Sequence, residues 1–129
     1  MITHFYTEQS PKTPLIEFNP ETGIFEIKGK SVPENTVQFY KPMFDWMDNY
    51  KQTPFKATTL NVQLDYFNTS SAKVLADLFK KIEDLKNSRK SEVMINWCYQ
   101  DIDEEMQEAG EGYKSITKVP FNLVPFTKP

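Results

Sequence analysis

The feature that most constrains this 129-residue chain is a strand-like run that passes directly into a helix-like run. Apolar residues alternate over residues 58–64, at Leu60, Val62 and Leu64, with the period of a half-buried strand. Residues 70–86 then carry apolar side chains at spacings of three and four, which is the period of an amphipathic helix. Strands joined by helices are normally parallel with right-handed crossovers, so the junction predicts an α/β fold.

Between the two runs lies a cluster of one amide and three hydroxyls, formed by Asn68, Thr69, Ser70 and Ser71. These side chains suit a helix start, because their oxygens accept hydrogen bonds from N–H groups that have no partner inside the helix. A helix N-terminus also attracts anions. One cap does not need three hydroxyls, so the cluster is also a candidate phosphate site. The phosphate would belong to a ligand or be attached to one of the hydroxyls.

The remaining periodicities predict a single α/β domain over residues 1–129, with the element order β-β-α-β-α-β-α-β. Two short strands flank a turn cluster at 19–23 and are expected to pair as an antiparallel hairpin at one end of a mixed sheet. Residues 1–12 are expected to be a loose arm, and residues 124–129 a tail. The other expected elements are strands at 15–18 and 24–28, a helix at 34–50, a strand at 93–99, an acidic helix at 101–109 ended by Gly110, and a strand at 116–123.

The composition argues against several classes of protein. A formal net charge of −3 is too small to imply a nucleic-acid or membrane-surface partner. The one cysteine, Cys98, excludes an internal disulfide, and the one histidine, His4, lies in a polar N-terminal stretch. We find no glycine-rich phosphate loop, no nucleophile elbow and no paired metal ligands, so no enzyme activity, cofactor or metal site is expected. No signal peptide and no apolar run of about 20 residues is present, which favours a soluble, cytoplasmic protein.

Several residues around the junction are candidates for a role at such a site. Asp65 precedes Thr69 by four residues and suits a base, a metal ligand or simply a turn. Lys73 follows Thr69 by one helical turn, where its ammonium would meet a phosphate or simply face solvent. On a helical wheel Ser71 falls inside the apolar arc and Thr69 falls outside it. The wheel therefore favours Thr69 over Ser71 as an accessible hydroxyl.

A second apolar stripe on the helix at 34–50 suggests a protein-binding surface. It contains Phe39, Met43, Trp46 and Tyr50, and it indicates either a well-buried helix or an aromatic face that meets a partner. On the second interpretation Trp46, together with Tyr66 beside the junction, is a candidate partner-binding residue.

Charged residues cluster in two further runs. An acidic run occupies residues 101–111, and a basic run occupies residues 80–90. Most such runs are solvated faces, but opposite charges at two places would also steer two different protein partners.

Residues 64–73, together with the aromatic segment 39–46, resemble the SiaC family of bacterial regulatory phosphoproteins. The element order is also similar to that of anti-sigma factor antagonists of the STAS type, so the resemblance implies a STAS-like fold. It further implies a non-enzymatic switch in which a Ser/Thr protein kinase phosphorylates Thr69 and a PP2C-like phosphatase removes the phosphate. Asp65, Asn68, Ser70, Ser71 and Lys73 would surround that phosphosite.

The resemblance also implies an output for the switch. The unphosphorylated form would bind and activate a diguanylate cyclase, raising cyclic di-GMP and favouring biofilm formation, and phosphorylation would block that binding. The alternative from another class is a small-molecule or anion-binding domain that uses the N-terminus of the second helix as its pocket.

Overall fold

Six strands form one mixed sheet in the computed structural model, which describes residues 2–128. The strand order in the sheet follows the order along the chain. The first three strands pair antiparallel, and the third to the sixth pair parallel, so the predicted mixed sheet with a hairpin at one end is confirmed. The strands are β1 (Phe5–Thr7), β2 (Leu15–Asn19), β3 (Ile24–Ser31), β4 (Ala57–Phe67), β5 (Glu92–Gln100) and β6 (Phe121–Phe126).

Three helices connect the parallel strands and cover one face of the sheet. They are α1 (Thr36–Tyr50), α2 (Thr69–Ser88) and α3 (Glu104–Ile116). Leu60, Val62 and Leu64 of β4 are buried towards the helices, while the alternate residue Asn61 is only half-buried on the opposite face. Val93, Ile95 and Trp97 of β5 are buried in the same way, which confirms the central strands read from the sequence.

All three helices begin at the same end of the parallel strands, because each follows the carboxyl end of such a strand. We call the side of the sheet formed by these strand ends the carboxyl edge, and the side formed by the opposite strand ends the amino edge. Neither is an edge strand. The cap side chains Asn35, Asn68 and Asp103 each accept a hydrogen bond from the backbone N–H three residues further on. The fold therefore gathers three helix N-termini, with their partial positive charges, at one edge.

The predicted loose arm is wrong at residues 5–7, which form β1 at the edge of the sheet. Phe5 pairs with Phe18 in β2, and their ring centroids lie 6.1 Å apart. Phe5 also packs 6.3 Å from the ring of Trp46. Packing of Phe5 and Ile2 against the core, with the hydrogen bond from Trp46 to the Thr3 carbonyl, attaches this polar N-terminal stretch to the rest of the fold.

The C-terminal part of the chain differs from the sequence prediction in its boundaries. Helix α3 does not end at Gly110 but continues to Ile116. Gly110 is buried against Trp97, and a Cβ at that position would lie 2.5 Å from Trp97 Cδ1, so this glycine permits close packing inside a helix. Strand β6 starts after Pro120 and includes Pro125, which its place at the sheet edge allows. The predicted strand at 116–123 is thus shifted, and the predicted tail begins only after Phe126.

Candidate functional site

The N-terminus of α2 is capped by Asn68, which follows β4 directly. Asn68 Oδ1 accepts from the Ser71 N–H at 2.9 Å, and the Asn68 carbonyl accepts the first helical bond from Ala72 at 3.0 Å. The Asn68 N–H in turn donates to the Ser31 carbonyl at the end of β3, at 3.1 Å. Thr69 is consequently the first residue of the helix, one position earlier than the sequence predicted.

Ser71 is fully buried, as the helical wheel predicted. Its hydroxyl donates to the Ser31 carbonyl at 2.9 Å and lies 2.7 Å from Ser31 Oγ. Ser31 Oγ lies 2.5 Å from the hydroxyl of Tyr40 in α1. Since each hydroxyl has one proton, the order of donation is Tyr40 to Ser31 to Ser71 to the Ser31 carbonyl. Burial raises the pKa of Tyr40 to about 12, against the opposing effect of its hydrogen bond with Ser31, so Tyr40 is a neutral donor at ordinary pH.

Ser70 is exposed, but its hydroxyl is engaged. Ser70 Oγ lies 2.6 Å from Thr36 Oγ1 in the first turn of α1 and donates to Asn68 Oδ1 at 3.2 Å. The starts of α1 and α2 are therefore joined side by side through a pair of hydroxyls.

Thr69 is exposed, and its hydroxyl has no hydrogen-bond partner among residues 2–128. Of the three neighbouring hydroxyls it is the one that a modifying enzyme can reach without breaking an existing bond. Helices α1 and α2 both lack acidic residues in their first turns, so nothing in those turns repels an anion. The arrangement at Thr69 is that of a helix N-terminus able to accept a negative charge.

The two charged residues predicted near Thr69 are both exposed. Asp65 lies near the end of β4 and faces solvent. The ammonium of Lys73 lies 3.4 Å from the carboxylate of Asp77, and its side chain is 82% exposed. Lys73 is therefore already paired with a residue one turn further along α2.

Three exposed apolar side chains lie at the same carboxyl edge as the hydroxyl cluster. Tyr66 at the end of β4 is 55% exposed, Val37 in the first turn of α1 is 78% exposed, and Ile102 in the turn after β5 is 83% exposed. We call these three residues, together with Thr69, the carboxyl-edge patch. Tyr66 was a partner-binding candidate from the sequence, whereas Val37 and Ile102, which lies between two aspartates, were not among the candidates.

Trp46, predicted as a partner-binding residue, is instead part of the core. Only 9% of it is exposed, and its indole N–H donates to the Thr3 carbonyl at 2.7 Å. Its ring packs 5.4 Å from Phe25 and 5.1 Å from Tyr50. This burial favours the other interpretation of that stripe, a well-buried helix, because the Trp46 ring packs among core aromatics. Val37 lies at the surface of α1 instead.

Tyr113 of α3 is a further residue at this site that the sequence did not indicate. Its hydroxyl donates to the Ala72 carbonyl in the first turn of α2, at 2.8 Å. Burial raises the pKa of Tyr113 to about 12, which keeps this donor protonated at ordinary pH. The first turn of α2 is thus held by β3, α1 and α3 together.

The structure shows neither a metal cluster nor a membrane span in the part that it describes. Residues 2–128 contain no group of three or more His, Cys, Asp or Glu side chains placed to hold a metal ion. Over the same residues, no helix combines the length and the apolar character needed to cross a bilayer.

Comparisons with known proteins give a family match over most of the chain and a shared fold. A family model described as SiaC family regulatory phosphoprotein matches residues 7–126. An uncharacterised protein of Pseudomonas aeruginosa strain UCBPP-PA14 is 27% identical over 111 residues, which are 86% of this chain and 87% of that protein.

Two solved structures show the same fold. The crystal structure of apo-SiaC from Pseudomonas aeruginosa superposes with a TM-score of 0.86 at 23% identity, covering 95% of this chain and 99% of that one. A second is SiaC in complex with the Pseudomonas aeruginosa diguanylate cyclase SiaD, of which that SiaC is the activator. It superposes with a TM-score of 0.88 at 24% identity, covering 95% and 99%.

Proposed function

The chain belongs to the SiaC family of regulatory phosphoproteins, and on that premise we propose that it is a non-enzymatic switch controlled by phosphorylation of Thr69. Its unphosphorylated form binds and activates a diguanylate cyclase, and the phosphorylated form does not. A Ser/Thr protein kinase adds the phosphate, and a PP2C-like phosphatase removes it. The observation that carries the assignment is the state of the three hydroxyls, of which Thr69 alone is both exposed and free of hydrogen bonds within the described residues.

The choice of Thr69 rests on what phosphorylation would disrupt. A phosphate on Ser71 would place a dianion inside the buried network with Ser31, and a phosphate on Ser70 would displace its contact with Thr36. A phosphate on Thr69 breaks no bond and extends into solvent. Phosphorylation of Thr69 should therefore disrupt fewer native contacts than phosphorylation of Ser70 or Ser71.

The fold is expected to survive this modification. A phosphothreonine carries about −1.5 to −2 charges near neutral pH. At a helix N-terminus such a charge is favourable, with a typical gain of about 0.3–1 kcal/mol at exposed positions. The caps and the buried network around Ser71 are made by other residues, so they remain in place.

The same charge is expected to block a partner that covers the carboxyl-edge patch. Tyr66, Val37 and Ile102 offer the apolar contacts from which protein interfaces are built, and Tyr is common among dominant interface residues. A partner over them would have to bury the phosphate, and burying an uncompensated charge costs several kcal/mol. Lys73 is the cation one helical turn further on, but it is exposed and shared with Asp77, and such an exposed ion pair returns no more than about 1 kcal/mol, which is less than this cost. Since about 1.4 kcal/mol changes affinity tenfold, binding should be lost.

We infer the identity of the partner from a related protein of the same fold. SiaC of Pseudomonas aeruginosa forms a complex with the diguanylate cyclase SiaD as its activator, and the present chain shares its fold. We extend that output to this protein, with cyclic di-GMP synthesis and biofilm control as the consequence.

Calorimetric titration tests the proposal, using the cyclase that co-purifies with the Thr69→Ala variant. Wild type and Thr69→Ala should bind with similar affinity, Thr69→Asp more weakly, and protein with phosphothreonine installed at position 69 at least about a hundredfold more weakly. Cyclase activity should follow the same order. Thermal melts should show all four proteins folded.

Thr53→Asp is the matched control, since Thr53 is also exposed but lies at the amino edge, after the end of α1. It should bind like wild type. Equal affinity of the unmodified and phosphorylated proteins would refute the switch. Saturable binding of inorganic phosphate that Thr69→Asp abolishes, without any effect on cyclase binding, would support the anion-binding alternative instead.

A further inference from the structure

An open groove of about 980 Å³ crosses the amino edge of the sheet, at the opposite end of the parallel strands from Thr69. Its walls come from the segments that precede β4 and β5 and from the C-terminal turn of α2. Val93, Met94 and Pro120 give it an apolar floor, and Met94 is 40% exposed there. Because the groove is open to solvent rather than enclosed, it suits a chain segment laid across it better than a small molecule that needs an enclosed pocket.

The rim of the groove is strongly basic in a protein whose net charge is −3. Lys56, Lys86, Arg89 and Lys90 line it against a single carboxylate, Glu92, so its local charge is +3. The side chains of Lys56 and Arg89 make no ion pair or hydrogen bond within residues 2–128. Those of Lys86 and Lys90 donate only to backbone carbonyls, at 2.7 and 3.3 Å. None of the four cations is therefore paired with a carboxylate among the residues that the structure describes.

Buried hydroxyls hold the segments that carry these cations in place. Tyr50 OH lies 2.8 Å from Thr58 Oγ1, which lies 2.7 Å from Ser91 Oγ, and all three residues are buried. The Phe55 N–H donates to the same tyrosine oxygen at 3.1 Å. Arg89 caps α2 in the left-handed conformation, with φ of 63°, and its N–H donates to the Lys86 carbonyl. The groove is thus a preformed surface.

We propose that this groove binds an acidic segment of a protein partner, with an apolar side chain seated against Met94 and Pro120 and carboxylates facing the four cations. Charge complementarity argues for the acidic character, and the apolar floor argues for a mixed segment rather than a plain polyanion. Nucleic acid fits less well, because the chain outside the groove has an excess of carboxylates that would repel a long polyanion.

The position of the groove gives this contact a role that does not depend on the state of Thr69. The groove and the carboxyl-edge patch lie at opposite ends of the same strands, so one partner does not cover the other site. The acidic partner stays bound while phosphorylation controls binding at the carboxyl edge. The protein then joins two partners, of which only one is switched.

The test uses fluorescence anisotropy with a labelled peptide of glutamates around a central leucine, titrated into the full-length protein. The double variant Lys56→Glu, Arg89→Glu should bind the peptide at least about tenfold more weakly than wild type. The double variant Lys30→Glu, Lys128→Glu makes the same change in net charge at exposed lysines outside the groove, and it should stay within about twofold of wild type. A peptide with serine in place of leucine should bind several-fold more weakly, and Thr69→Asp should bind like wild type.

Each remaining outcome decides the proposal. Equal weakening by the two double variants, or no binding at low salt, would overturn it. Displacement of the peptide by equimolar ATP or by duplex DNA would overturn the choice of a protein segment. Sensitivity to Thr69→Asp would overturn the independence from the switch. If melts show that the first double variant is unfolded, Lys56→Gln, Arg89→Gln replaces it, with about threefold weakening expected.

Discussion

The carboxyl and amino edges of the sheet are stabilised by similar hydrogen-bond networks, but they expose different kinds of side chain. At the carboxyl edge a chain of hydroxyls runs from Tyr40 to Ser31 and Ser71. At the amino edge an equivalent chain runs from Tyr50 through Thr58 to Ser91. Each chain combines a tyrosine of α1, a hydroxyl on a strand and a hydroxyl close to the start of a later element, which is α2 for Ser71 and β5 for Ser91. Helix α1 is thereby fixed at both of its ends.

The difference between the edges lies in what these networks leave free. The carboxyl edge exposes the Thr69 hydroxyl, which has no hydrogen bond in the described part of the chain, together with three exposed apolar side chains. The amino edge exposes two cations, Lys56 and Arg89, that form no ion pair within residues 2–128, beside an apolar floor. The hydroxyls of both networks are buried and bonded to each other, so the difference between the two surfaces comes from residues outside the networks. A covalent negative charge would change the first surface strongly, whereas the second already attracts negative charge without modification.

The largest expected effect is a difference in unfolding free energy between aspartate substitutions at Ser71 and at Thr69, which lie in the same helical turn. Ser71→Asp should lower the free energy of unfolding by about 3 kcal/mol or more, because its carboxylate would be buried beside Ser31 without a cation. Thr69→Asp should change it by no more than about 1 kcal/mol, with the sign of a gain. Urea unfolding of both variants measures this contrast, and Ser71→Ala shows how much comes from losing the hydroxyl alone. Equal destabilisation by the two aspartates would contradict the separation of a buried and a free hydroxyl.

A smaller effect should distinguish the two tyrosines of α1. Tyr50→Phe leaves the Phe55 N–H without its acceptor and removes one bond of Thr58, so it should cost about 2 kcal/mol of unfolding free energy. Tyr40→Phe leaves Ser31 and Ser71 bonded to each other, so it should cost about 1 kcal/mol. Chemical denaturation of the two variants at neutral pH gives the comparison. If Tyr40→Phe is the more costly, the carboxyl edge has the more tightly coupled network.

The smallest expected effect is a dependence on alkaline pH. Burial raises the pKa of Tyr40 from 10.0 to about 12, and it raises that of Tyr50 against hydrogen bonds from Thr58 and Phe55. A raised folded-state pKa means that the stabilisation is complete below about pH 10 and is lost as pH rises through the folded-state value. Between pH 9 and about pH 11 wild type should therefore lose about 1 kcal/mol more than Tyr40→Phe. The loss of unfolding free energy over this pH range should be closer to that of wild type in Tyr50→Phe than in Tyr40→Phe. If Tyr50→Phe reduced the loss more than Tyr40→Phe does, the amino edge would be the more pH-sensitive of the two.

Much of this protein follows from periodicity within short segments of its sequence. The hairpin, the central strands and the helix after β4 were predicted from alternation and from spacings of three and four. The placement of Thr69 outside the buried arc of α2 and of Ser71 inside it followed from the helical wheel, and the structure confirms both positions. These features are local, because the period of a helix or strand fixes which side chains share a face.

The tertiary structure decided the features that depend on residues far apart in the chain. Ser31 meets Ser71 across 40 positions, and Thr58 meets Ser91 across 33, so no local pattern indicates either contact. Trp46 belongs to the core rather than to a partner surface because Phe5 and Phe25 pack against it. Local sequence determined which hydroxyls lie on each helix face. Only packing between distant segments determined which hydroxyl remains free, because a buried polar group must find a partner wherever the fold brings one.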